Sequence, residues 1–176
     1  MRFLILAPLF PPDSVSSAIY AKTLAEHLPA NQTSVIAYGK LPEKVASVEI
    51  YSISKQASKF LLVSRCLRRL FQIKTDILLV NNGPSAEFPA LIFSLFSKTS
   101  IVLIISDQRA CENMTKLHSL IHKTLTARSS AVIEIGPESN YLAPEKLPFT
   151  EIDPAVEANQ KEWWQNHITT IKSYAK

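Results

Sequence analysis

Short, wholly apolar runs recur along this chain, with segments of helical spacing between them, and few folds absorb that pattern. Residues 2–7, 34–38, 48–53, 76–80, 100–105 and 131–135 read as strands. Helices are expected from Ser16 or Ser17 to about His27, over 59–72, over 87–96 with Pro89 in the first turn, and over 114–127. One more is expected over 155–175. Strands that are apolar throughout are covered on both faces. Regular alternation with helices gives parallel pairing through right-handed crossovers. The expected fold is α/β: a single doubly wound, mostly parallel, Rossmann-like sheet with helices on both faces. A length of 176 residues suits one such domain, taken as 1–150, with 151–176 as a closing helix packed back on it.

Composition narrows the function classes. An apolar fraction of 47% is that of a chain with a real core. A net charge of +4, without zinc-finger spacing, an Arg-rich arm or an aromatic RNA-binding pattern, excludes nucleic acid as the expected partner. Cys66 and Cys111 are distant and form no CxxC motif, which points to a reducing compartment. Pro8, Pro11 and Pro12 interrupt the N-terminal apolar run, so a first strand ending in a proline-rich loop is expected there rather than a signal peptide. Lys98 divides the apolar stretch 88–105, leaving neither part near the ~20 residues a bilayer span needs. The expected location is cytoplasmic, peripheral at the inner face of the membrane.

Chemistry is expected at the carboxyl ends of the strands, where open α/β sheets bind ligands. Three glycines, Gly39, Gly83 and Gly136, each follow a predicted strand and sit on that rim, either as tight turns or as ligand contacts. The loop Pro8–Ser17 leaves a strand and enters a helix amino terminus, a place suited to an anion. It contains no GxGxxG and no P-loop lysine, so no nucleotide cofactor is expected.

The run Arg2-Phe3-Leu4-Ile5-Leu6-Ala7-Pro8-Leu9-Phe10-Pro11-Pro12-Asp13, followed by a helix with Ala21, Leu24, Ala25 and Leu28, resembles the opening of family-4-type glycosyltransferases of the GT-B fold. The similarity continues at Asp76–Pro84, at Pro89-Ala90-Leu91, at Ile101–Asp107 and at Ser130-Ala131-Val132-Ile133, and so covers roughly the first 140 residues. It implies a Rossmann-like amino-terminal domain that binds an acceptor. In such enzymes a second domain holds the sugar nucleotide with a pair of glutamates. That domain is expected here from a subunit in trans, and the final helix is similar to the one that crosses back onto the first domain. The resemblance implies ligand contacts from Asp13, Ser14, Ser16, Ser17, Asn81, Asn82, Gly83, Ser106 and Arg109. The acceptor is expected to be a glycan or a lipid-linked molecule.

The chain departs from the family within the retained half. Ser14, Val15, Ser16 and Ser17 stand where adjacent glycines are usual, and Asn81, Asn82 and Ser106 stand where histidines are frequent. None of these is a general base near neutral pH. Asp107 is left as the candidate catalytic residue, its alternative role being a turn cap. The expectation is a split or degenerate glycosyltransferase that cannot transfer sugar alone. The alternatives are a standalone ligand- or protein-binding module, and an enzyme that uses Asp107 and the first loop.

Three further features carry expectations. His118 and His122 are four apart on one helix, as metal ligands can be, but no HExxH or carboxylate set completes a site, so a solvated face and no metal are expected. Arg65, Arg68 and Arg69 lie on a helix whose apolar side is read as Phe60, Leu61, Val63, Leu67, Leu70 and Phe71. That composition suits either an anionic membrane surface or an ordinary solvated face. Of the pair Trp163-Trp164, about 100° apart on a helix, one is expected to anchor the last helix.

Overall fold

The computed structural model describes residues 1–39, 41–56, 58–105, 114–135 and 154–175, the side chains of Ser16 and of 154–160 excepted. The elements run β1 (Phe3–Ala7), α1 (Ser16–His27), β2 (Thr33–Tyr38), β3 (Glu49–Ile53), α2 (Lys59–Gln72), β4 (Ile77–Asn81), α3 (Pro84–Phe96), β5 (Ser100–Ile105), α4 (Lys116–Arg128), β6 (Ala131–Glu134) and α5 (Pro154–Ser173). The strands form one sheet in the order β3-β2-β1-β4-β5-β6, and every pairing is parallel. This is the doubly wound α/β arrangement the apolar runs predict. The order reverses between β1 and β4, the position at whose carboxyl edge open α/β sheets bind ligands.

Alternation along each strand divides the interior into two cores. Phe3, Ile5, Ala7, Val35, Ala37, Leu79 and Ile104 face α1 and α5. Leu4, Leu6, Ile36, Leu78, Val80 and Leu103 face α2, α3 and α4. The predicted stripe of α1 is buried as expected, at Ala18, Ala21, Leu24, Ala25 and Leu28. Among the described residues no helix is long and apolar enough to cross a membrane.

Three local expectations need correction. First, α1 is preceded by Val15 at the N-cap, which offers no side-chain cap, so Ser16 and Ser17 are helical residues rather than caps. Second, α3 begins at Pro84, three residues earlier than the expected start at Glu87, and Pro89 lies in its interior rather than in its first turn. A proline there leaves the carbonyl four residues back without its helical donor. That carbonyl, of Ser85, accepts a hydrogen bond from the Tyr38 hydroxyl at 2.8 Å instead. Third, the apolar residues of α2 are split. Cys66 and Leu70 are buried, while Phe60, Leu61 and Phe71 are exposed.

Candidate functional site at the sheet's switch point

The carboxyl ends of β1 and β4 lie side by side, since Leu6 pairs with Val80. The loop after β1 and the turn Asn81-Asn82-Gly83 after β4 therefore meet. Gly83 has φ +141°, a conformation open to glycine, and a Cβ at that position would lie 3.1 Å from Pro8 Cγ. Glycine thus lets the two segments touch. Asn81 closes the approach from the other side. Its Nδ2 donates to the Ser17 carbonyl in the first turn of α1 at 3.5 Å, and its Oδ1 is buried without a hydrogen-bond partner among the described residues. Asn82 is also buried, and its backbone N–H donates to the Ile104 carbonyl at 2.8 Å.

The β4–α3 turn rests on a cluster that the sequence reading misplaced. Glu87, fully buried, accepts from the Gly83 N–H at 2.9 Å through Oε1. Its Oε2 is 3.2 Å from His118 Nε2 and 3.1 Å from His122 Nδ1, on α4. The two histidines are therefore not a solvated face. They turn inward because a carboxylate in this apolar layer needs donors, and helical spacing of four residues delivers two to one oxygen. The signal for it lay in the sequence: Glu87 is the one charge in α3, and an HxxxH pair follows downstream. No group of three potential ligands among the described residues is arranged to hold a metal ion.

Asp13 and Ser14 line a separate hollow of about 310 Å³ with Lys22, Glu26 and Glu43, whose lining includes none of Asn81, Asn82 and Gly83. Asp13 is tied to Lys55 at 3.2 Å, and Lys22 to Glu43 at 2.7 Å. A larger hollow of about 370 Å³ lies at the amino ends of β2 and β3, the edge opposite the one where parallel sheets bind ligands. Ser106, Asp107, Arg109 and Gly136 lie outside the described residues, as does the side chain of Ser16.

The last helix docks through rings. Trp164 is buried against Tyr20 at 5.7 Å between centroids and stacks on His27 at 4.7 Å. Trp163 is half-buried and stacks on His167 at 4.6 Å. His167 Nε2 lies 2.7 Å from the Tyr20 hydroxyl. Burial pulls the imidazole down to about 4 and pushes the Tyr20 phenol far up, so both are neutral at ordinary pH. On the opposite core, burial raises the Cys66 thiol to about 11, which makes it an inert packing group.

The sequence matches no family model and no curated protein.

Proposed function

We propose that this domain supplies the acceptor side of glycosyl transfer and depends on a donor-binding domain outside these 176 residues to complete the reaction. The observation that carries the reading is the meeting, at the switch point, of the proline-rich loop with the Asn81-Asn82-Gly83 turn. Both segments are among those that resemble GT-B glycosyltransferases. The chemistry agrees. The turn itself offers amides and no charge, which suits the hydroxyls of a neutral glycan better than a diphosphate. Asn81 ties the turn to α1 through the Ser17 carbonyl, so the shape the turn presents depends on its amide. No proton acceptor stands in the turn, so chemistry there needs a group from elsewhere. Asp107 is the sequence's candidate for that role.

The test is binding by the chain as it stands. Titration with oligosaccharide acceptors should move the amide resonances of Asn81, Asn82 and Gly83, and Asn81→Leu should abolish the response. Calorimetry should show no micromolar affinity for a UDP- or GDP-sugar. Tight sugar-nucleotide binding to the isolated chain, or an Asn81→Leu variant that responds unchanged, overturns the reading.

A further inference from the structure

From Ile50 to Thr75 the chain carries Lys55, Lys59, Arg65, Arg68, Arg69 and Lys74 and no acidic residue. α2 lies within this segment. Its inner stripe, Cys66 and Leu70 with Leu62, Leu67 and Ile73 packed alongside, already holds it to the sheet. On its outer side Phe60 is 81% exposed and Leu61 46%, while Phe71, 53% exposed, also sets its ring 5.1 Å from that of Phe93 on α3. Arg65 and Arg68 are exposed with them. Arg69 is differently engaged. Its guanidinium lies 5.0 Å from the Tyr51 ring centroid, and its Nη1 donates to Gln72 Oε1 at 3.5 Å.

We infer that the outer face of α2 is a docking surface for an anionic lipid bilayer, with the helix lying flat in the interface. Phe60 and Leu61 stand at one end of the helix and Phe71 near the other, about 16 Å apart along the axis at 1.5 Å per residue. Apolar anchors at both ends fix the axis parallel to the membrane plane. Arginines between them sit at the level of the phosphates, with phenyl rings at the acyl boundary. A surface without a single carboxylate in this segment is complementary to a negative leaflet and to no neutral one. Helices in a parallel sheet run antiparallel to their strands, so this docking lays the strands along the membrane. The carboxyl edge with the Asn81–Gly83 turn then opens sideways, within reach of a headgroup held at the surface. The docking rests on α2 alone and stands whether or not the acceptor reading holds.

Flotation with phosphatidylcholine vesicles, with and without phosphatidylglycerol, tests it. The full chain should float only with the acidic vesicles. Changing Lys59, Arg65 and Arg68 together to glutamine removes about 1 kcal/mol each and should weaken binding about a hundredfold. Phe60→Ser with Leu61→Ser should abolish the part of the binding that survives high salt. Arg69→Gln should have the smallest effect, because its guanidinium is held on Tyr51. All these residues are exposed, so circular dichroism and the melting temperature should stay unchanged. Equal flotation with neutral and acidic vesicles, no flotation with either, or an Arg69→Gln loss as large as that of Arg68→Gln overturns the assignment. A partner protein on this face gives the second of those outcomes.

Discussion

The two faces of the sheet are finished in opposite ways. The face under α1 and α5 is apolar within and is closed by five rings, Tyr20, His27, Trp163, Trp164 and His167, among which the Tyr20 hydroxyl meets His167 Nε2. The face under α2, α3 and α4 reverses this. It buries a carboxylate, Glu87, between two histidines and leaves Phe60, Phe71, Leu95 and Phe96 on the outside. The first face spends its aromatic residues on cohesion. The second buries a polar cluster beside its apolar core and carries further large side chains on its exterior. Exposed apolar residues scattered singly are ordinary, but several on one helical layer mark a surface that meets something.

That contrast can be broken experimentally. The largest effect is expected at Trp164. Trp164→Ala should cost about 3–5 kcal/mol, since it opens a ring-sized cavity between α5 and α1. Urea unfolding measures it, and a loss under 1 kcal/mol would mean that α5 is not part of the first core. Next is the pH dependence that His167 brings. Between pH 6.5 and about 4 the unfolded chain takes up a proton at this residue that the folded chain refuses. Stability from this group is therefore complete above pH 6.5 and falls as the pH drops toward 4, by at most about 3 kcal/mol. The difference between the unfolding profiles of the native chain and His167→Asn isolates it, and coincident profiles would remove the effect. The smallest effect belongs to the other face. Glu87→Gln keeps the shape but sets an amide against donors from Gly83, His118 and His122, with an expected loss of about 1–3 kcal/mol. A neutral outcome by thermal melting would mean that the cluster is incidental to the β4–α3 turn.

The frame of the fold was legible because its signal is local. Six apolar runs, the 59–72 helix and the stripe of α1 follow from spacing alone. What spacing could not convey is which partner a polar residue meets. Glu87 read only as the start of a helix, and His118 and His122 as solvated, because the thirty-odd intervening residues hide that α3 and α4 are neighbours. The same limit applies to Tyr20 and His167, which are 147 residues apart and share a proton position. At the candidate site the sequence located the turn Asn81-Asn82-Gly83 through strand position and glycine. It also grouped Asp13 and Ser14 with that turn, whereas the loop's path sends them to another hollow. For α2, the run of apolar letters did not separate the residues facing the sheet from those facing away, because both sets are large and apolar.

The bond from Tyr38 to the Ser85 carbonyl makes two distant positions answer for each other. With proline at 89 the carbonyl depends on the phenol, and loss of the hydroxyl leaves it without a protein donor. With alanine at 89 the helix supplies its own donor, and a phenylalanine at 38 becomes harmless. A lineage therefore crosses this pair cheaply in one order and expensively in the other. The residues that descendants of this chain tolerate at 38 are decided at 89, on an element that does not touch it in sequence.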